Sequence, residues 1–182
     1  MLVCFSVIFC LLIVLVVTIV FNAEEPVKIT IDRIDRKILR LLQDDGRISN
    51  VELARRVGLS ATACLERVKK LEREAVIESY HARINPAKLG ANLMVFVEIT
   101  LTRTSADAFA EFSEAARKTD EILECHLVAG DFDFLIKARV PDMPAYRRLL
   151  GETLLMMPGV NESRTYVVME EVKQENKVLI KG

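Results

Sequence analysis

Histidines are few in this chain of 182 residues and paired cysteines are absent, which removes whole classes of chemistry. The two histidines are His81 and His126, and a histidine on a strand, as His126 reads, is more often structural than a base. The four cysteines, Cys4, Cys10, Cys64 and Cys125, form no CxxC pair, and none stands at zinc-finger spacing from a histidine. Cys125 and His126 are adjacent, but neighbours on a strand point to opposite faces. The cysteines read as free thiols in the apolar surroundings of a reducing compartment. No nucleophile elbow and no phosphate-binding loop occurs. The sequence therefore offers no catalytic residue, no metal site and no cofactor, and an enzyme is the weakest reading. It also shows no internal repeat and no low-complexity tract.

A net charge of one sign is lacking too: the whole chain carries −1, which says nothing about partners. The distribution says more. Residues 32–90 hold 13 Lys+Arg against 9 Asp+Glu, and residues 91–182 hold 11 against 15. A basic segment joined to an acidic one suggests an anion-binding module followed by something else.

Side-chain charge is missing altogether from the first 21 residues, MLVCFSVIFCLLIVLVVTIVF, of which 16 are Leu, Ile, Val or Phe. As a helix this run is about 30 Å long, close to the hydrocarbon thickness of a bilayer. Insertion would gain about 6 kcal/mol. It has no basic region in front and no A-x-A-like cleavage site behind, so it fits a secretory signal poorly. Lys28, Arg33, Arg36 and Lys37 follow it, which would keep the rest of the chain in the cytoplasm. In water the same run is an aggregation hazard. Segment 1–30 is thus either an inner-membrane anchor through residues 2–21 or the product of a start codon placed too early, with Val27 or a near neighbour as the true first residue.

From Ile31 the pattern becomes that of amphipathic helices. Ile34, Ile38, Leu41 and Leu42 repeat at helical spacing, with Asp32 as N-cap and Gly46 after the end. A short helix reads over 50–57, Gly58-Leu59-Ser60 forms a turn, and a third helix reads over 61–74. Residues 77–84 suggest a small hairpin. Residues 31–84 form the first domain, and Asn85-Pro86 and Gly90 mark a linker over 85–92. Over 93–182 the order is β-α-β-β-α-β. Strands fall at 93–102, 122–129, 134–140 and 163–172, with helices at 107–117 and 142–157. That order is the split βαβ arrangement of a ferredoxin-like domain, so the fold class is α+β.

On a helical wheel, Cys64, Leu65, Val68 and Leu71 of the third helix share one arc, and Ala63, Glu66, Lys69, Lys70 and Arg73 share the other, with Arg67 at its edge. Ser60 is placed as its N-cap, and Gly58 supplies the turn. The pair is a helix-turn-helix, whose second helix enters the major groove of double-stranded DNA by its N-terminal end. The residues there are Ser60, Thr62, Ala63, Glu66 and Arg67, and Arg67 could bond guanine bidentately. Lys70, Arg55, Arg56 and Arg47 suit phosphate, and Asn50 at the start of the preceding helix joins this surface. Acidic residues are interspersed, so one module makes few phosphate contacts and needs a second copy on an adjacent half-site. A plain three-helix domain with a solvated basic face would show the same spacing.

The stretches DRIDRKILRLLQDDGRISNVELARRVGLS, TACLERVKKLE, LMVFVEITL, ECHLVAGDFDFLIKARVPDM, YRRLLGETLL and TYVVMEEVK resemble the Lrp/AsnC family of bacterial transcription regulators over about 31–181. The resemblance implies a winged or simple helix-turn-helix followed by a ferredoxin-like effector domain of the RAM type, related to ACT domains. It implies dimers joined through the sheets, rings of dimers that wrap DNA, and a small amino-acid effector such as leucine bound between dimers. It leaves activator and repressor roles equally open and places the protein in the cytoplasm with the nucleoid. The family's glycine-aspartate turn matches Gly130-Asp131-Phe132-Asp133. The effector site is carried onto Leu127, Val128, Ala129, Gly130, Asp131 and Asp133, with Met143 and Tyr166 as further candidates. Asp131 or Asp133 would accept the effector's ammonium, and backbone N–H groups near Gly130 would bind its carboxylate. Read without the family, the same residues are a tight β-turn with two capping aspartates.

The chain departs from the family pattern in two places. Ala61 and Ala63 stand where the family usually has proline, so the helix start loses a fixed φ but keeps a good helix former. The apolar first segment replaces a short polar arm. Two other readings accompany the regulator: the same protein tethered to a membrane, and a ligand-binding assembly module that does not bind DNA.

Overall fold

The computed structural model describes residues 30–181, so the expectations for the apolar first segment lie outside the described residues. These residues divide into two compact units, residues 30–83 with 175–181, and Ile84–Gln174. Among the described residues, no helix is long and apolar enough to cross a membrane.

The first unit is three helices, α1 (Arg33–Asp44), α2 (Asn50–Val57) and α3 (Ala61–Arg73). Each starts on a polar side chain that satisfies otherwise orphaned N–H groups, a contribution of about 1 kcal/mol apiece. Asp32 accepts from the N–H of Ile34 and Asp35, and Asp35 returns a bond to the Asp32 N–H, completing a capping box. Ser49 caps α2 and Ser60 caps α3. Gly58 ends α2 in the left-handed region, with φ +80°. Ile38, Leu53, Ala54, Val57, Cys64 and Leu71 form the core of the unit. Burial pushes the Cys64 thiol pKa up, as expected of an inert core cysteine.

The expected hairpin over 77–84, and with it any wing, is not formed: this stretch contains no strand. Residues 79–84 are all exposed, and a lone two-stranded ladder without an apolar face to bury is marginal. In its place, residues 175–181 lie along α1. Gln43 Nε2 donates to the Val178 carbonyl at 3.1 Å, and the Val178 N–H donates to Gln43 Oε1 at 2.7 Å.

The second unit is one antiparallel sheet of β1 (Leu93–Leu101), β2 (Ile122–Leu127), β3 (Phe134–Val140) and β4 (Val160–Val167), in the order β2-β3-β1-β4. With α4 (Ala106–Arg117) and α5 (Met143–Arg148) it has the ferredoxin-like order read from the sequence. Val95, Val97, Ile99 and Leu101 alternate into a core with Phe112, Phe134, Ile136 and Leu154. The Phe112 and Phe134 rings lie 4.4 Å apart between centroids. Tyr146 of α5 ties to β4 through a hydroxyl–hydroxyl bond to Thr165 of 2.5 Å.

Besides the second strand, which ends at Leu127 rather than running to 129, two elements differ from expectation by more than a residue. The single helix over 142–157 is broken: α5 ends at Arg148, a π turn covers Leu149–Thr153 and a 3-10 turn covers Leu154–Met156. Gly151, a poor α-helix former, lies within the π turn and weakens the α register there. The last strand begins at Val160, where it pairs with Leu101, and ends at Val167 rather than running over 163–172.

Candidate nucleic-acid interface and effector turn

The first candidate site is the exposed side of α2, the turn and α3. Ser60, Ala61, Thr62, Ala63 and Glu66 are exposed at the start of α3, and its opposite side holds buried Cys64 and Leu71. The wheel separates the two faces except at Leu65, which is 40% exposed. Ser60 Oγ accepts the Ala63 N–H at 3.2 Å, and Asn50 Nδ2 donates to the Ala61 carbonyl at 2.8 Å. Asn50 thus joins the first turn of α2 to the first turn of α3.

The cations are held in distinct ways. Arg55 lays a two-bond fork on Glu52, at 2.8 and 2.7 Å, and Arg56 Nε shares the same carboxylate at 2.7 Å. These bonds, Arg55's foremost, pull the Glu52 pKa down to about 2. Glu52 therefore stays ionised at neutral pH and fixes both guanidiniums at the end of α2. Lys70 lies 4.0 Å from Glu74, and Arg47, on the α1–α2 loop, forms no ion pair among the described residues.

Arg67 differs from the rest. Its Nη1 donates to Asp32 at 2.6 Å and to Asp35 at 2.8 Å, and Asp35 is 4% exposed. The Asp35 N–H and then Arg67 hold the Asp32 carboxyl below its usual range. Asp35 is buried, but the Arg67 and Asp32 side chains are 33% and 44% exposed, so breaking this pair costs less than the roughly 3–5 kcal/mol of a fully buried one. A bidentate guanine contact returns about 1–3 kcal/mol. No sequence signal pairs residues 32 and 35 positions apart, so the wheel alone leaves Arg67 at the rim of the DNA face.

The second candidate site is the turn between β2 and β3. Val128 N–H donates to the Asp133 carbonyl at 2.9 Å, which closes the turn. Asp133 Oδ2 accepts the Leu101 N–H at 2.7 Å, so one of its oxygens serves the sheet. Ala129, Gly130 and Asp131 are exposed. A cavity of about 190 Å³ opens beside the turn, lined by Glu98, Thr100, Asp131, Phe132, Glu162, Ser163 and Arg164. Of the residues read from the sequence, Asp131 lines it. Leu127 and Val128 precede it on β2 and the turn. Met143 is the exposed first residue of α5, and Tyr166 lies in register with Phe96. The sequence reading did not include Glu98, Thr100, Glu162 and Arg164, which also line this cavity and which β1 and β4 bring opposite one another as Glu98↔Arg164 and Thr100↔Glu162. Carboxylates facing a guanidinium can take both ends of a zwitterion. Among the described residues, no cluster of potential metal ligands occurs.

A helix-turn-helix with a presented second helix, in a chain that also carries a ferredoxin-like unit, defines a DNA-binding regulator rather than an enzyme. Residues 31–72 match the AsnC-type helix-turn-helix domain, and residues 94–178 match the Lrp/AsnC ligand binding domain. The chain belongs to the Lrp/AsnC family of transcription regulators. It is 66% identical over 151 residues to the leucine-responsive regulatory proteins of Escherichia coli strain K12 and Klebsiella pneumoniae, spanning 83% of this chain and 92% of each relative. A Neisseria meningitidis regulator solved as an L-methionine complex superposes with a TM-score of 0.78 at 35% identity, over 82% of this chain and 97% of that one. The feast or famine regulatory protein of M. tuberculosis, also complexed with L-methionine, gives 0.74 at 32% identity, over 84% and 100%.

Proposed function

We propose that this regulator binds double-stranded DNA through α3 and answers to leucine or a similar small amino acid bound at the β2–β3 turn. The observation that carries the DNA reading is the capped start of α3, where Ser60, Thr62, Ala63 and Glu66 stand exposed beside a Gly58 turn. Arg47, Arg55, Arg56 and Lys70 grip phosphate, and Asn50 keeps α2 and α3 in register. The methionine complexes of two structural neighbours and the leucine-responsive relatives support an amino-acid effector.

A single such module grips few phosphates, so the working species is a homo-oligomer, a dimer that assembles into a ring and wraps DNA. Exposed Leu123, Leu127, Leu155, Met156, Tyr166 and Val167 supply apolar contact surface for it. The protein acts in the cytoplasm on the nucleoid, and the membrane-tethered form is the alternative to be separated by fractionation with intact-mass measurement. The direct test is DNA binding by the full chain at increasing salt, with and without leucine. Affinity should fall steeply with salt. A flat response would point instead to an assembly module that does not bind DNA. Sedimentation of the free protein tests the oligomer.

A further inference from the structure

We infer that Arg67 positions the recognition helix by locking it to the start of α1, and does not itself read a base. The inference rests on the DNA-binding reading above and deepens it. The two aspartates divide their oxygens between two tasks. Asp32 Oδ1 caps the Ile34 and Asp35 N–H groups at 2.7 and 2.8 Å, and its Oδ2 takes Arg67. Asp35 Oδ2 accepts the Asp32 N–H at 3.2 Å, and its Oδ1 takes Arg67. The capping box that starts α1 and the ion pair that anchors α3 are therefore one network.

Every carboxylate oxygen in that network has a donor. Asp35 is the buried charged residue of the described chain, and Arg67 is its ion-pair partner. Drawing Arg67 out to a base would take from Asp35 Oδ1 its donor and leave this buried carboxylate with the Asp32 N–H alone, which opposes the release. Arg67 lies four residues into the helix from Ala63, so its tether fixes how the exposed first turn of α3 is aimed. Base reading then falls to Ser60, Thr62, Ala63 and Glu66.

The experiment measures full-length protein by fluorescence anisotropy on a duplex selected by the wild type from a random pool, and on an unrelated duplex of equal length. Both are titrated over salt. Arg67→Ala should lower the ratio of specific to non-specific affinity about tenfold or more while keeping the salt slope, since no phosphate contact is lost. Arg67→Lys should stay within about threefold of wild type, because one ammonium can serve both carboxylates as the single Nη1 does, whereas it lacks the planar fork that makes lysine a poor substitute for arginine at a base. Asp35→Asn should weaken specific binding, although it removes a negative charge near DNA. The double variant Arg67→Ala/Asp35→Asn should be no worse than the poorer single.

The inference is overturned if Arg67→Lys falls as far as Arg67→Ala, or if Asp35→Asn binds as well as wild type or better. If Arg67→Ala or Asp35→Asn unfolds the helical unit by circular dichroism, Arg67→Lys decides alone: a retained ratio supports positioning and a lost ratio overturns it. A wild type with no salt-dependent binding would overturn the DNA reading itself, a separate outcome.

Discussion

Asp133 holds the end of β1 through Leu101: its Oδ2 accepts the Leu101 N–H at 2.7 Å, and its own N–H donates to the Ile99 carbonyl at 3.0 Å. With the Val128 bond to its carbonyl, this one residue fastens the β2–β3 turn to the neighbouring strand. Asp133→Ala should destabilise the ligand-binding unit by about 1–3 kcal/mol even without effector, because a half-buried N–H loses its acceptor. Asp131 is exposed and should behave oppositely, with Asp131→Ala within about 0.5 kcal/mol of wild type in urea but a weakened response to leucine. Equal loss of stability in both variants would refute this division of labour.

Gly58 presents a different kind of sensitivity. A side chain there would meet nothing within 4 Å, so crowding is no obstacle. The obstacle is φ +80°, which costs a non-glycine residue about 1–2 kcal/mol. Gly58→Ala should lower the Tm of the helical unit by several degrees, roughly 4–8 °C per kcal/mol for a unit of this size. Gly58→Asn should lose less, since asparagine tolerates the left-handed region. A calorimetric scan in which alanine and asparagine are equal to glycine would show that the turn relaxes.

Acid should weaken the helical unit in a defined window. The Asp32 carboxyl lies below its unfolded value of 3.8, held there first by the Asp35 N–H and then by Arg67. Glu52 drops from 4.5 to about 2, chiefly through Arg55. Both folded values are depressed, so their support is complete above pH about 4.5 and is lost as pH falls toward the folded values. Helical signal followed by circular dichroism from pH 5 to 2 should decline across that window. Asp32→Asn should start less stable and decline less. A mutant curve parallel to wild type would remove Asp32 from the account.

Much of this architecture is legible in the sequence because it is periodic and capped. The spacing of Ile34, Ile38, Leu41 and Leu42 gives α1, Gly58 and Ser60 give the helix-turn-helix, and the alternation from Leu93 to Leu101 gives the central strand. What fails is either non-local or sign-ambiguous. A β-prone stretch over 77–84 reads as a hairpin, but strand formation needs a partner that pattern cannot supply. Ala75 closes α3 at φ +53°, a position where alanine gives no warning. The Arg67 network and the Glu98–Arg164 cavity wall depend on register and tertiary geometry, to which local periodicity is blind. The π turn over Leu149–Thr153 is not legible, because Tyr146, Leu149, Leu150, Thr153, Leu154 and Met157 keep a regular helical spacing through it.

The strap over 175–181 supplies the last prediction. Gln43 and Val178 exchange both of their amide bonds, Arg40 donates to the Ile180 carbonyl at 2.8 and 3.2 Å, and Lys177 meets Asp44 at 2.7 Å. The side chains of Val178 and Leu179 point outward, 74% and 81% exposed, so they contribute little burial. Apart from the exposed Lys177–Asp44 ion pair, the strap is thus gripped by its backbone, and its apolar side chains should matter less than the polar ones of α1. Val178→Ala should be silent within about 0.5 kcal/mol, whereas Gln43→Ala should cost about 1 kcal/mol through two lost hydrogen bonds. Gln43→Glu, which keeps the acceptor and loses the donor, should fall between them. Amide hydrogen exchange at the end of α1 should rise in the same order. If Val178→Ala opens that helix end as much as Gln43→Ala, the contact is a side-chain one after all, and the backbone grip is refuted.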